Sequence, residues 1–309
     1  MSGLVPHGLT APETSRDDPR LGQWLAKAGT VREDTEVVLV GFPSDAGVVR
    51  NGGRAGAAAG PRAIREALHT MTPGLQFTAA FGRLLARTVD LGDIAVSGDV
   101  ETDQERLAAV VSEHSSERVV VVLGGGHETA YGHVLGSIRA GREVHVLNWD
   151  AHADVREVRA EGGHSGSPFR QALEHPSRLV RSYSVAGLHP WRVAQAHVEY
   201  VRERGGAVYP LGSVTAEAIP EIVGRVGGPA MASFDIDAVD ASAAPGVSAP
   251  GVGGMAPGLW LQAAEACGRA THFGSFEVVE VNPRFDVDGR TATLAALTVW
   301  HVLRGIAAR

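Results

Sequence analysis

The chain is poor in cysteine, lysine and aromatic residues. One of its 309 residues is cysteine, Cys267, which excludes a disulfide framework and a cysteine-rich zinc site. Lys27 is the one lysine; the other basic residues are arginines spread along the chain, a pattern we read as genomic composition bias. Lysine and arginine together number 28 against 35 acidic residues, a formal charge of −7. A basic footprint for nucleic acid is therefore not expected. No stretch approaches the ~18–20 uninterrupted apolar residues of a membrane span, so no membrane partner is expected. Residues 1–20 lack an apolar h-region, so no secretory signal is expected either. A single cysteine is compatible with a reducing compartment, and cytoplasm is the expected location.

Hydrophobic residues make up 44% of the chain, enough to bury a sizeable core at this length. Apolar runs at 36–42, 118–123, 144–149, 230–236 and 275–281 read as strands, with weaker ones near 88–91, 180–187 and 207–209. Several are continuous and β-branched, as strands covered on both faces are. Helices are predicted over 61–69, where Gly60-Pro61 sets the start, and near 102–116, 128–140, 191–204, 215–226, 258–271 and 291–307. Strand followed by helix, repeated, predicts one α/β domain over 31–309 with a parallel sheet. Residues 1–30 read as a loose arm. The Gly-rich segments 46–60 and 241–258 read as ordered functional loops.

Three of the strong strands end in metal-binding residue types. One runs into Gly124-Gly125-Gly126-His127-Glu128, the next into Asp150-Ala151-His152-Ala153-Asp154, the third into Asp235-Ile236-Asp237. A parallel sheet gathers the carboxyl ends of its strands on one edge, where α/β folds bind ligands. The i, i+2 spacing puts each set on one side of an extended segment. A single Asp at a strand end is ordinarily a turn residue, and a lone His ordinarily a packed one. His69, His114, His133, His175, His189, His197, His272 and His301 receive that plain reading, and Trp149 and Trp300 read as packing residues. The convergence of three motifs lifts His127, Asp150, His152, Asp154, Asp235 and Asp237 above it. Six ligands, four of them carboxylates, are too many for one tetrahedral zinc. Hard oxygen donors with two imidazoles suit Mn²⁺ or a similar ion in a two-metal centre. Such a centre makes hydroxide available at neutral pH. The triple glycine lacks a Walker-A lysine and is not read as a phosphate loop.

GGGHE at 124–128, NWDAHAD at 148–154, SFDIDAVD at 233–240 and EVNP at 280–283 resemble the ureohydrolase family, which includes arginase, agmatinase, guanidinobutyrase and formimidoylglutamase. The resemblance runs from about residue 36 to 307. It implies a three-layer α/β/α fold with a central, mainly parallel sheet and two Mn²⁺ per subunit. One ion would take His127, Asp150, Asp154 and Asp235, and the other Asp150, His152, Asp235 and Asp237. Homo-oligomers, trimer or hexamer, are implied as well. GGGHETAYGH, HSGSPFRQ, APGVSAP and NPRFDVDGRTATLAA are most similar to the formimidoylglutamase branch. That branch implies hydrolysis of N-formimidoyl-L-glutamate to L-glutamate and formamide, in histidine breakdown, by metal-bridged hydroxide attack. The alternative is another amidinohydrolase, such as agmatinase, guanidinobutyrase or arginase, which would release urea. A non-catalytic relative of the fold is a third reading, against which the intact ligand set argues.

The substrate residues follow from the same resemblance. Glu280 matches the family carboxylate that faces the cationic amidine. Glu277, on the other strand face by parity, reads as its structural neighbour. Asp154 is implied as the proton relay to the leaving amine. Arg156 stands where arginase has an uncharged residue, and an arginine fork there suits a substrate carboxylate; otherwise it is a surface arginine paired with Glu157 or Glu161. Arg159 and Arg170 are lesser candidates for a second carboxylate. The family's proton-shuttling His is replaced by Ser165, with His164 one residue earlier. Either the loop shifts to bring His164 in as the acid, or Ser165 contacts substrate.

Overall fold

In the computed structural model, residues 3–15, 17–25, 29–75 and 77–309 are described; Lys27 lies outside them. Nine strands form one sheet: β1 (Leu4–Val5), β2 (Val37–Phe42), β3 (Thr88–Ile94), β4 (Val119–Gly124), β5 (Val144–Trp149), β6 (Val180–Leu188), β7 (Val208–Pro210), β8 (Ala230–Asp235) and β9 (Phe273–Val279). Their order is β1-β3-β2-β4-β9-β8-β5-β6-β7. Every pairing is parallel except β1 with β3. All strands read from the apolar runs are present.

The sheet is covered on both sides, which is why its central strands read as continuous apolar runs. Along β4, Val121 and Leu123 join one core while Val120 and Val122 join another. The first core lies under α3 (Gly60–Thr70), α10 (Pro257–Arg269) and α11 (Arg290–Ile306), through Ile64, Leu68, Trp260 and Val299 among others. The opposite face is covered by α5 (Val100–His114) and α6 (Thr129–Arg139), through Leu107, Val111, Ala130 and Val134. This is the expected three-layer α/β/α arrangement. No helix among the described residues is long and apolar enough to cross a membrane.

Four features differ from the reading of the sequence. The arm over 1–30 is held where it is described: Leu4–Val5 pair with the open edge of β3, and Leu21 and Leu25 are buried in the core. Segment 46–60 is not all loop but opens with a short helix, α2 (Ala46–Arg50). Two further helices stand where none is predicted: α4 (Ala79–Ala86), which buries Phe81, Leu84 and Leu85 at helical spacing, and α7 (Pro168–Leu173). Between α3 and β3 lies a buried ion cluster. The Arg65 guanidinium grips Asp90 at 2.7 and 3.0 Å, also reaches Asp93, and donates to the Gly92 carbonyl. Arg65 is fully buried, so its loss would strand the buried Asp90 carboxylate beside the half-buried Asp93. We therefore expect Arg65→Met to destabilise the fold by about 3–5 kcal/mol. Urea unfolding would show this as a lower midpoint at unchanged slope; an unaltered midpoint would refute it.

Candidate functional site

The four strands β4, β9, β8 and β5 are neighbours at the centre of the sheet. Their carboxyl ends therefore open on one spot. His127 follows β4, Glu280 follows β9, Asp235 ends β8 with Asp237 just beyond, and Asp150, His152 and Asp154 follow β5. The glycines before His127 let this edge pack tightly: a Cβ on Gly125 would sit 1.9 Å from the Ser44 carbonyl oxygen. The triple glycine is thus a close-approach device.

The six expected metal residues form two groups that share Asp150. His127, Asp150, Asp154 and Asp235 make one, and Asp150, His152 and Asp237 the other; within each, the offered atoms lie within 4.8 Å of one another. Each D-x-H or D-x-D motif closes a small turn in which the first aspartate accepts the backbone N–H two residues on. His152 N–H donates to Asp150 Oδ1 at 2.6 Å, and Asp237 N–H to Asp235 Oδ1 at 2.9 Å. Those turns leave the second oxygens to face the cluster. Asp154 and Glu280 hold left-handed backbone, φ 46° and 67°, a conformation uncommon for non-glycine residues that Arg178 and Asp288 also adopt away from the cluster.

His127 is the centre of the arrangement. Its buried Nδ1 makes no hydrogen bond, yet it lies 2.9 Å from Asp154, 3.0 Å from Asp235 and 3.4 Å from Asp150. Three carboxylates aimed at one nitrogen fit a shared cation far better than a shared proton. Asp237 Oδ1 is likewise buried without a partner. Burial raises the pKa of Asp235, and Asp237 and Asp150 raise it further. Burial and Asp150 raise that of Asp154. Burial alone would lower His152, but Asp237 and Asp150 push it up to about 12. In the absence of cations the cluster thus holds protons in their place. Oxygen and imidazole donors in this number and geometry fit a pair of hard divalent ions.

Behind His127 runs a buried chain of side chains. Ser233 Oγ donates to Glu277 Oε1 at 2.7 Å, so its lone pair is left to accept from His127 Nε2 at 2.9 Å. That assigns the proton to Nε2 and leaves Nδ1 as the free donor atom toward the cluster. Glu277 Oε2 in turn meets His133 Nδ1 at 2.9 Å, and the other nitrogen of His133 bonds Ser275. Glu277 is thus the structural partner its strand parity implied. His133, read as an ordinary packed histidine, is that, but packed against the support of the cluster.

A cavity of about 310 Å³ opens above these residues, lined by Asn51, Arg54, His152, Asp154, Arg156, Ser165, Asp235, Asp237, Ser248 and Glu280, among others. Glu280 is buried, and its Oε1 accepts the His127 backbone N–H at 2.8 Å. Burial, with Glu128 and Asp237 nearby, pushes its carboxyl up to about 8. Ser165 faces the cavity, its Oγ accepting from Asn51 Nδ2 at 3.1 Å. His164 does not line it. Both its nitrogens serve the loop, Nδ1 accepting from the Gly166 N–H and Nε2 donating to the Glu157 carbonyl, each at 3.1 Å. The expectation of His164 as an acid is therefore corrected: the loop turns on it. Arg156 lines the mouth and pairs with neither Glu157 nor Glu161; Glu157 instead meets Arg170 at 3.5 Å. Arg159 and Arg170 do not line the cavity. Arg159 binds the carbonyls of Arg50 and Asn51, while Arg170 meets Glu174 and lies over the Tyr200 ring.

Because Glu277 serves two buried partners, we expect Glu277→Ala to cost on the order of 3 kcal/mol of stability by leaving His133 and Ser233 unsatisfied. Glu277→Gln, which keeps an acceptor, should recover part of it. Equal urea midpoints for all three proteins would dismiss the chain as a support.

The arginase-family model matches residues 35–304. Formimidoylglutamase of Klebsiella pneumoniae strain 342 is 34% identical over 298 residues, covering 92% of this chain and 91% of that one. Formimidoylglutamase of Nocardia farcinica is 36% identical over 303 residues, covering 94% and 93%. The crystal structure of Trypanosoma cruzi formiminoglutamase with two Mn²⁺ superposes with a TM-score of 0.86 at 31% identity, covering 95% of this chain and 100% of that one. With one strand-edge cluster, one fold and one family model in agreement over most of its length, the chain belongs to the arginase family.

Proposed function

We propose that the protein is a binuclear manganese hydrolase that cleaves N-formimidoyl-L-glutamate to L-glutamate and formamide. One observation carries the reading. Two carboxylate–imidazole groups sharing Asp150 meet at the floor of one cavity, which is also lined by a buried acid, Glu280, and by Arg156, an arginine with no carboxylate partner among the described residues. The names of the relatives supply the substrate class: the curated matches described above are formimidoylglutamases. His127, Asp150, Asp154 and Asp235 would hold one ion, and Asp150, His152, Asp235 and Asp237 the other. When bound, the two ions supply hydroxide at neutral pH and Lewis acidity toward the developing charge.

The side chains of the chain do the rest. Glu280 has one oxygen engaged by the His127 N–H; the other is left for the cationic amidinium, which brings a countercharge to a buried acid. That ion pair fixes the formimidoyl carbon beneath the attacking oxygen. Water adds to this carbon, the bond to the glutamate nitrogen breaks, and formamide leaves. Asp154 takes a proton from the nucleophile and delivers it to the leaving amine. Ser165, steadied by Asn51, contacts substrate, and Arg156 takes a substrate carboxylate as a bidentate fork. Agmatine, whose tail ends in an amine, would gain nothing from that arginine.

A manganese-loaded panel of formimidoylglutamate, arginine, agmatine and guanidinobutyrate, scored for formamide and urea, tests the reading. Formamide from the first substrate supports it, and urea from any other in its place selects a different amidinohydrolase. Asp235→Ala should lose metal content and activity together, by metal analysis and turnover; a fully loaded but inactive variant would count against its ligand role. Arg156→Ala should raise KM for formimidoylglutamate about 10- to 100-fold, the factor expected for one charged hydrogen-bonded contact, and more than for a smaller amidine. Equal losses on both would remove the carboxylate role.

A further inference from the structure

A second cation stands at the mouth of the cavity and is not accounted for by the reading above. Arg54 lines the cavity beside Ser248 and Glu280. It is held from several directions. Its Nε donates to the Ser248 carbonyl at 3.0 Å and its Nη2 to the Val247 carbonyl. Its guanidinium lies 3.9 Å from the centre of the Phe285 ring. Its backbone N–H donates to Ser248 Oγ at 2.8 Å, and its carbonyl accepts from Asn282 Nδ2, two residues beyond Glu280. These bonds use two of the five side-chain N–H groups. No acidic side chain among the described residues pairs with Arg54. The remaining three N–H groups form a fork of the kind that matches a carboxylate.

Arg156 is placed by different means. Its backbone N–H donates to the Gly166 carbonyl at 2.9 Å, and its side chain crosses Gly166 so closely that a Cβ there would meet Arg156 Cδ at 3.0 Å. The two arginines thus rest on separate loops, and neither has a carboxylate partner among the described residues. The same cavity is lined by Asp154, Asp235, Asp237 and Glu280. A ligand with one carboxylate would satisfy one fork and leave the other facing solvent. A ligand with two would satisfy both.

We infer that Arg54 is a specificity-determining residue that binds a second substrate carboxylate, so that Arg54 and Arg156 together select a dicarboxylate amidine, one arginine to each carboxylate. The inference rests on the proposed hydrolase reading. Carbonyl bonds and the Phe285 ring hold the Arg54 fork in place before substrate arrives, which lowers the ordering cost of binding.

Three substrates test it on the manganese-loaded enzyme: N-formimidoyl-L-glutamate, N-formimidoyl-L-norvaline, which lacks the distal carboxylate, and 4-(formimidoylamino)butanoate, which lacks the α-carboxylate. Arg54→Ala should lower kcat/KM for the dicarboxylate about 10- to 100-fold. Its loss on one monocarboxylate should be at least about tenfold smaller. Arg156→Ala should spare the other monocarboxylate in the same way. Calorimetry should show L-glutamate binding weakened in Arg54→Ala by a similar factor. Arg54→Lys, which keeps the charge and loses the fork, covers the case in which the alanine variant folds poorly, and should show the same substrate pattern with a smaller loss. An equal loss on all three substrates, no loss at all, or both arginines discriminating against the same analogue would overturn the assignment. Formamide release by the wild type with Arg54 variants unaffected overturns this inference alone. No formamide release by the wild type overturns the hydrolase reading beneath it.

Discussion

Crowding of negative charge at the centre of the sheet is the constraint on which the rest of the structure depends. Asp154, Asp235, Asp237 and Glu280 line one small cavity with Asp150 clustered against them, and most of their surface is withdrawn from water. Carboxylates in that setting repel one another and lose hydration together. Everything around them supplies positive potential or fixes direction: the Asx turns of the two motifs, the backbone N–H of His127, the imidazoles, and arginines at the rim. Burial and mutual repulsion favour protons on Asp154 and Asp235, and the same atoms belong to the groups that could hold a cation.

The buried chain from His133 through Glu277 and Ser233 to His127 shows how the α/β layers contribute beyond holding the strands. β8 and β9 are adjacent, so Ser233 and Glu277 sit opposite each other in register, on the face covered by α6, which brings His133. A hydroxyl that donates to a carboxylate can only accept from the imidazole behind it. The choice of tautomer at His127 is therefore made about two side chains away from the cavity, by residues that never meet a ligand.

Much of this was legible in the sequence, and the parts that were not share a physical reason. The central strands announce themselves as long apolar runs because both their faces are buried. The six clustered side chains could be read because a parallel sheet has one carboxyl edge. Glu280 and Ser165, singled out by the resemblance, both line the cavity. By contrast, β1 exists because β3 offers an unpaired edge, and two residues carry no period of their own. α7 begins at Pro168 within a Ser-Gly-Ser-Pro string that reads as a turn. His133 joins His127 through Ser233 and Glu277, partners 106 and 144 positions distant from the histidines they meet, and no spacing rule spans such gaps. His164 and Arg170 are engaged by local partners, Gly166 and Glu157 for the first and Glu174 for the second, within a loop and a short helix that carry no clear signal of their own. Arg54 escaped attention in a Gly-rich segment whose role depends on what packs against it.

The left-handed backbone at Asp154 and Glu280 has a further consequence for how this protein can change. Such backbone costs a non-glycine residue of order 1–3 kcal/mol, less for an aspartate, which tolerates it as asparagine does. A laboratory selection that rewards heat resistance alone would gain by replacing either one, and would discard the acid with the strain. Thermal robustness and turnover are thus opposed at two identifiable positions. An engineer seeking a hardier variant would do better to work on the outer helices and leave residues 154 and 280 untouched.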